Sequence, residues 1–283
     1  MNKQTLRLVV PDWQAGNNPI YALGAKVLAA IAPENSHQET LTIDVPNVPE
    51  KLSQENNING QHIIKNTLLK TKDAINSASP ARIITLGGNC LVSQAPIDYL
   101  NGKYDDLGVI WVDAHPDIST PEIFENEHAM VLGNLLKKGD PVFNNLVDHP
   151  LHPNQIFYAG LQEPTTIEKH LLQNDNLEYQ HHDNLSIAEV RDWVDQNNFT
   201  HLYIHFDIDV LNPRNFYATY FNNPQLTAIP ENAAMGQANV PETWTFLKAL
   251  NQEFNLVGLT IAEYMPWSAQ QLVNLMNGLE IFK

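Results

Sequence analysis

Short runs of apolar residues, each bounded by polar or turn-forming residues, recur along the chain. Most are apolar at consecutive positions, which is typical of strands buried on both faces of a parallel sheet. The pattern predicts β-strands at residues 6–10, 41–45, 82–86, 107–112, 155–159, 177–180, 201–206 and 256–262.

Longer segments between these runs carry apolar residues near helical spacing, with Asn, Ser or Pro at their ends. They predict helices at residues 19–31, 58–75, 128–138, 187–196, 242–251 and 269–276, and the polar segment 50–59 is interpreted as a connection. Alternating strands and helices indicate a parallel sheet with helices on both faces. We therefore predict an α/β fold, a three-layer αβα sandwich with a central, mostly parallel eight-stranded sheet, as a single domain over residues 1–283.

Polar residues follow four of the predicted strands. Gly87-Gly88-Asn89-Cys90, Asp113-Ala114-His115-Pro116-Asp117, Asp207-Ile208-Asp209 and Glu263 each stand where a strand ends. In an open α/β sheet, ligands bind beyond the carboxyl ends of the strands. These four segments, far apart in the sequence, are therefore expected to meet in one cleft.

Two of these segments have the spacing of metal ligands. Asp113, His115 and Asp117 alternate along the chain, as do Asp207 and Asp209. Alternate residues of an extended chain project to the same side, so each set is expected to face one cavity. An isolated Asp or His at a strand end is more often a cap or a turn former, but five of them in two matching patterns favour a metal site.

The predicted charge of the cleft indicates two metal ions rather than one. Four carboxylates in one cleft repel one another, and a single divalent ion leaves much of that charge uncompensated. Oxygen ligands with one imidazole suit hard to borderline ions such as Mn²⁺, and carboxylates that bridge such ions hold them about 3.5–4 Å apart. Such a pair lowers the pKa of a shared water.

Composition narrows the classes of partner. Against 16 Lys and Arg stand 32 Asp and Glu, a formal charge of -16 that disfavours nucleic acid and anionic membranes and favours small cations. Cys90 is the only cysteine, which excludes an intrachain disulfide, and residues 1–5 lead into a strand-like run rather than a signal-peptide core. No apolar run is long enough to span a bilayer. We expect a cytoplasmic protein.

The order and spacing of the motifs resemble the ureohydrolase (arginase, agmatinase and formimidoylglutamase) family over most of the chain. The motifs are Gly-Gly-x-x, Asp-Ala-His-x-Asp, Asp-x-Asp-x-x-x-Pro and Glu-x-x-Pro. The resemblance implies a binuclear manganese site, a metal-bridging hydroxide that attacks a guanidinium carbon, and assembly into trimers or hexamers.

The resemblance also implies roles for the metal-site residues. Asp113 and Asp207 are expected to bridge the two metals. Asp117 is expected on one metal, where it also orients the hydroxide, and His115 and Asp209 on the other.

Further roles follow outside the metal ligands. His128 resembles a proton shuttle to the leaving amine, with a helix-start histidine of no catalytic role as the alternative. Glu263 resembles the carboxylate that pairs with the guanidinium group, with a structural glutamate as the alternative. Asn126 and Thr227 are further candidate substrate-binding residues.

The chain departs from the family pattern at three places. Cys90 stands where the family has a histidine that ligates the first metal, so either a thiolate shifts the preference toward Zn²⁺, Fe²⁺ or Co²⁺, or an inert buried thiol leaves that position weak. Asn212 precedes Pro213 where Asp is common. After the fifth strand, Gly160-Leu161-Gln162-Glu163-Pro164 replaces the Gly-Leu-Arg-Asp type of sequence. The acidic residues that follow that sequence and help arginases to hold the α-amino group of arginine have no clear counterpart here.

These patterns favour a C–N hydrolase that acts on linear amidines or guanidines and takes a small cationic substrate. The alternative is an arginase-like pseudoenzyme with a degenerate metal site that serves as a binding or regulatory protein. The sequence leaves open which guanidine or amidine is bound and which metal is native.

Overall fold

Eight strands form one sheet in a computed structural model that describes residues 4–46, 52–181, 185–228 and 233–282. Every pairing recorded in this sheet is parallel, and a separate two-stranded hairpin is antiparallel. The strands are β1 Thr5–Val10, β2 Glu39–Thr42, β3 Gln54–Glu55, β4 Ile58–Asn59, β5 Arg82–Gly87, β6 Leu107–Val112, β7 Ile156–Leu161, β8 Glu178–His181, β9 His201–Asp207 and β10 Leu256–Ala262.

Helices connect the strands, as parallel pairing requires. They are α1 Ile20–Ile31, α2 Gln61–Ala78, α3 Gln94–Lys103, α4 Val131–Leu135, α5 Pro141–Asn144, α6 Thr166–Asn174, α7 Ile187–Asn197, α8 Val240–Glu253 and α9 Trp267–Asn277. None of the described helices is both long and apolar enough to cross a bilayer.

Both faces of the sheet are buried. Along β9, Leu202, Ile204 and Phe206 pack into one apolar core, which also contains residues of α7 and α8. Tyr203, from the opposite face, packs into a second core with residues of α2 and α3. The predicted three-layer αβα sandwich is therefore confirmed, while the assignment of one domain to residues 1–283 stays a prediction.

The order of the strands is what assembles the site. The sheet runs β2-β1-β5-β10-β9-β6-β7-β8, so β5, β10, β9 and β6 are consecutive neighbours. These are the four strands that precede the four polar segments. Because all four are parallel, the segments leave the sheet side by side at the same edge.

All eight predicted strands of the sheet are present, but several boundaries differ. β2 ends before Ile43, although the prediction continued to 45. The segment 50–59, interpreted as a connection, contains the hairpin of β3 and β4, and α2 therefore begins three residues later than predicted, after Gly60 in the left-handed region (φ 71°). The helix predicted at 128–138 is a 3₁₀ turn, Glu127–Met130, followed by the short α4.

Three helices were missed. α3 contains buried polar residues, among them Asp98, whose carboxylate accepts from Lys72 and from the backbone N–H groups of Asp148 and His149. A buried but fully partnered carboxylate weakens the apolar pattern that predicts a helix. α6 had a detectable signal, a capping box in which Thr165 and Glu168 each bond to the other's backbone N–H. The third is the single turn α5.

Candidate metal centre

Asp113 is the first residue after β6 and is held by two direct contacts. Its Oδ2 accepts from the indole Nε1 of Trp111 at 3.0 Å, and its Oδ1 accepts from the backbone N–H of His115 at 2.7 Å. The loop is fixed further along by Tyr158, whose hydroxyl donates to the carbonyl of Pro116 at 2.8 Å. This carboxylate is therefore positioned before any ligand binds.

Asp207 ends β9 and caps the 3₁₀ turn Ile208–Val210 that follows. Its Oδ1 accepts from the backbone N–H of Asp209 at 2.7 Å, so the turn brings both carboxylates to the same side. Nδ1 of His115 lies 3.0 Å from Oδ2 of Asp209. The two motifs predicted to form one cavity therefore contact each other directly.

Cys90 is buried at the start of the 3₁₀ turn Cys90–Ser93. Its Sγ lies 2.9 Å from Oδ2 of Asp207 and 3.4 Å from Oε1 of Glu263. Two residues earlier, Gly88 packs closely on the backbone of Asp12, where a Cβ would lie 1.8 Å from the carbonyl oxygen of Asp12. Burial, followed by the charge of Asp207, raises the pKa of the Cys90 thiol well above its usual value.

Two acidic residues of the site have positive φ angles, which residues with a side chain rarely adopt. Asp117 has φ 47° and Glu263 has φ 60°, both in the left-handed region. Non-glycine residues in this region cost free energy and are often found at functional sites. Glu263 is held there by a hydrogen bond from its backbone N–H to the carbonyl of Gly88.

The described residues contain three groups of possible metal ligands, each with its ligand atoms within 4.8 Å of one another. The first group is Cys90, Asp113, His205 and Asp207; the second is Asp113, His115 and Asp209; the third is Asp207, Asp209 and Glu263. Five of the six ligands predicted from the sequence belong to these groups. Asp117 belongs to none of them, although its Oδ2 is buried without a hydrogen bond among the described residues.

The remaining predicted site residues have less direct evidence. His128 is partly buried, and its Nδ1 lies 3.1 Å from the carbonyl oxygen of Ala15, which fixes the ring and leaves Nε2 for other contacts. Asn126 has a structural partner, since its Oδ1 accepts from Asn59 of β4 at 3.0 Å. Thr227 is exposed. The roles of all three in substrate binding and proton transfer stay predictions.

Two residues near these groups were not singled out from the sequence. His205 is fully buried on β9, two residues before Asp207. Tyr21 on α1 is buried, and its side chain hydrogen-bonds to Glu263; burial, followed by the charge of Glu263, raises the pKa of Tyr21 well above its usual value. A tyrosine in an amphipathic helix looks like a core residue, so its pattern carried no sign of this contact.

The five acidic residues Asp113, Asp117, Asp207, Asp209 and Glu263 are here called the carboxylate cluster. All five are buried, and within the part of the chain that the structure describes no Lys or Arg forms an ion pair with any of them. Burial, followed by the charge of Asp209, raises the pKa of Glu263 to about 8. Burial and neighbouring carboxylates also raise the pKa values of Asp117 and Asp207. Among the described residues, the basic side chains that contact the cluster are the imidazoles of His115 and His205, and the donor set fits a pair of divalent ions.

We expect the contribution of Glu263 to the stability of the metal-free protein to fall as the pH rises from about 4.5 to about 8. In this window folded Glu263 keeps a proton that the unfolded chain, with a pKa near 4.5, has already released. Thermal unfolding in the presence of a chelator measures the trend, and Glu263→Gln should make it shallower. Divalent metal should raise the unfolding temperature more at pH 8 than at pH 6. An equal pH dependence of stability in the chelated wild-type and Glu263→Gln proteins would contradict the assignment.

Comparisons with known proteins agree with this geometry. The model of the "Arginase family" matches residues 25–225. Arginase from Plasmodium berghei is 29% identical over 198 residues, which cover 65% of this chain but only 52% of that protein's length. The structure of Bacillus caldovelox arginase aligns with a TM-score of 0.79 at 17% identity over 93% of this chain and 91% of the other. A putative agmatinase from Clostridium difficile aligns with a TM-score of 0.64 at 18% identity, over 96% and 92%.

Proposed function

Because this chain belongs to the arginase family, whose members are hydrolases of C–N bonds in linear amidines, we propose that it is a metal-dependent hydrolase of a small amidine or guanidine. The observation that carries the proposal is the carboxylate cluster, which is buried without a Lys or Arg partner among the described residues. Burying such a cluster costs free energy unless bound cations neutralise it, so the cluster indicates a site that binds cations.

The residues that would hold the metals are Cys90, Asp113, His115, Asp117, Asp207 and Asp209. Asp113 belongs to two of the ligand groups and so does Asp207, which agrees with bridging positions for both. Two divalent ions bound there would supply a hydroxide nucleophile at neutral pH. The other steps depend on side chains of this chain.

Glu263 would bind the cationic end of the substrate. Its carboxylate lies beside Cys90, accepts a hydrogen bond from Tyr21 and belongs to the third ligand group. A carboxylate pairs with a planar amidinium or guanidinium group through two parallel hydrogen bonds. With metals bound, their charge favours the ionised form of Glu263 that this pairing needs.

His128 would move a proton to the leaving nitrogen. Burial lowers the pKa of His128 to about 4, so the imidazole is neutral at pH 7. A neutral imidazole serves by first taking up a proton and then passing it to the leaving amine. The contact of Nδ1 with the carbonyl of Ala15 makes Nε2 the atom that exchanges this proton.

The loop after β7 bears on the choice of substrate. The Gln162 side chain donates to the carbonyl of Gly160 at 2.8 Å, and Glu163 forms an ion pair with Lys169 on α6. These contacts give neither residue a role in holding an α-amino group. We therefore place amidines and guanidines without the α-amino acid end of arginine first among the substrates.

A panel of linear guanidines and formimino compounds tests the proposal. We expect urea or ammonia release from at least one of them by the metal-loaded protein, with loss of about 1,000-fold or more after chelation, because metal catalysis contributes several kcal/mol. Metal content is measured in the same samples. If the protein holds two equivalents of metal and hydrolyses no member of the panel, the proposed hydrolase activity is contradicted.

One observation favours the alternative of a pseudoenzyme. A protonated Cys90 thiol can donate to Asp207, and this contact would fill the first ligand group without a metal. The alternative expects no metal in the wild-type protein and a gain of metal in Cys90→His.

Assembly and location are also part of the proposal. We infer a cytoplasmic homo-oligomer, a trimer or a hexamer. The exposed apolar residues Leu272, Leu275 and Met276 on α9 support an interface, since contiguous exposed apolar surface marks association sites.

A further inference from the structure

His205 is a buried histidine in the middle of the sheet, at a position where the packing of the sheet does not require a polar side chain. It lies on β9 between Trp111 of β6 and Thr260 of β10, which are its partners in the register of the two neighbouring strands. Its ring stacks on the indole of Trp111, with centroids 3.6 Å apart and planes at 9°. An apolar residue would fill this place without bringing a polar ring into the core.

The two ring nitrogens of His205 have different surroundings. Nδ1 lies 2.7 Å from the hydroxyl oxygen of Ser93. Nε2 is buried without a hydrogen-bond partner among the described residues, and it lies 3.6 Å from Oδ2 of Asp113. In one tautomer the lone pair of Nε2 faces a carboxylate, and in the other its N–H is too far from that oxygen for a normal hydrogen bond. A cation bound between Nε2 of His205 and Oδ2 of Asp113 would give both atoms a partner.

We propose that His205 is a ligand of the first metal position, where its Nε2 joins the Cys90 thiolate and the carboxylates of Asp113 and Asp207 in a four-ligand site for Zn²⁺. The inference rests on the proposed metal-dependent function and deepens it. All four ligand atoms lie within 4.8 Å of one another. Two ligands about 2.1 Å from a tetrahedral Zn²⁺ lie about 3.4 Å apart, close to the 3.6 Å between Nε2 of His205 and Oδ2 of Asp113.

Surrounding contacts orient His205 and Asp113 among these four ligands. Ser93 ends the 3₁₀ turn that Cys90 begins, so one turn carries both the thiol and the hydroxyl that accepts from Nδ1–H of His205. Trp111 stacks on the imidazole and donates from its indole to Asp113. Metal-ligating histidines almost always donate their second N–H to such a partner, which fixes the tautomer and the ring.

The ligand chemistry of the first position differs from that of the second. Thiolate and imidazole are softer donors than carboxylate, so the first position favours Zn²⁺ over Mn²⁺. The second group has one imidazole, His115, with the carboxylates Asp113 and Asp209. The two positions are therefore expected to prefer different metal ions.

Metal titration of the chain of residues 1–283 tests this assignment. In a His115→Asn background, which weakens the second position, we expect one equivalent of Zn²⁺ to bind, and Co²⁺ in its place to show a thiolate charge-transfer band. Adding His205→Asn should lower Zn²⁺ affinity about 100-fold or more, because one of four ligands is lost. Ser93→Ala should lower it by about 10-fold, as loss of an orienting partner does. The matched control is His201→Asn, on the same strand and face, where the ring pairs with Asp106 outside the groups.

The outcomes separate this inference from the proposed function. X-ray absorption of the Zn²⁺-loaded His115→Asn protein should show one sulfur and one imidazole ligand, a result that does not depend on how variants of His205 fold. The assignment of His205 would be overturned by a spectrum that lacks the sulfur or the imidazole ligand, even if amidines are hydrolysed. Equal Zn²⁺ affinity in the His205→Asn and His201→Asn proteins would overturn it as well. Zn²⁺ binding that needs His205, in a protein that hydrolyses no amidine, supports His205 and contradicts the proposed enzyme.

Discussion

Replacing Asp113 and Asp207 together with asparagine is expected to abolish the binding of two divalent ions and to lower hydrolysis about 1,000-fold or more. Each residue belongs to two ligand groups, so the double change removes charge from both metal positions at once. Metal catalysis contributes several kcal/mol, and about 1.4 kcal/mol corresponds to a tenfold change in rate. Metal content by mass spectrometry and the amidine assay measure the two effects.

The double variant should still fold, because asparagine keeps the shape of aspartate and its amide oxygen can still accept from the backbone N–H of His115 or of Asp209. The control is Asp73→Asn with Asp105→Asn, two exposed positions. It changes the formal charge equally, from -16 to -14, and should keep metal and activity. If the Asp113/Asp207 variant still binds two equivalents of metal, the proposed metal centre is contradicted.

Glu263→Gln is expected to lower kcat/KM about 10- to 100-fold while both metals remain bound. Charge-assisted hydrogen bonds contribute about 1.5–3 kcal/mol, and glutamine keeps the length of the side chain but loses the charge that pairs with an amidinium group. The hydrogen bond to the carbonyl of Gly88 comes from the backbone N–H of Glu263, which the substitution leaves in place, so the loop should keep its conformation.

The exposed Glu34→Gln is the matched control, since it removes the same charge in the connection between α1 and β2, outside the ligand groups. The loss in Glu263→Gln should be smaller for an uncharged substrate analogue than for a cationic amidine, because only the cationic group needs the carboxylate. An equal loss for both would assign Glu263 to the metals rather than to the substrate. Unchanged activity would exclude Glu263 from the site.

The sheet could be predicted from the sequence because its strands are buried on both faces. A run such as Leu107–Val112 is apolar at every position that contacts either helical layer, so its length and boundaries appear directly in the pattern. Helices on the surface were harder. α3 was missed because its buried Asp98 is partnered by Lys72, and only the folded chain supplies that partner.

Four of the predicted metal ligands that fall in these groups could be singled out by their position in the sequence, because each stands next to the end of a strand or alternates with one that does. The reason is geometric: alternate residues of an extended chain face the same way, so Asp113 with His115 and Asp207 with Asp209 needed no knowledge of the rest of the fold. The parallel topology then implied that their loops share one edge of the sheet. Cys90 was singled out by the resemblance to the family instead.

What only the tertiary structure decided is which polar residues inside the strands belong to the site. His201 and His205 both stand on β9 and face the same side, and neither was singled out from the sequence, although His205 stands two residues before Asp207. The register of β9 against β6 separates them, because it places His201 beside Asp106 and His205 at the level of Trp111 and Asp113. Contacts between strands that are distant in the sequence set burial and ligand distance, and no local pattern encodes them.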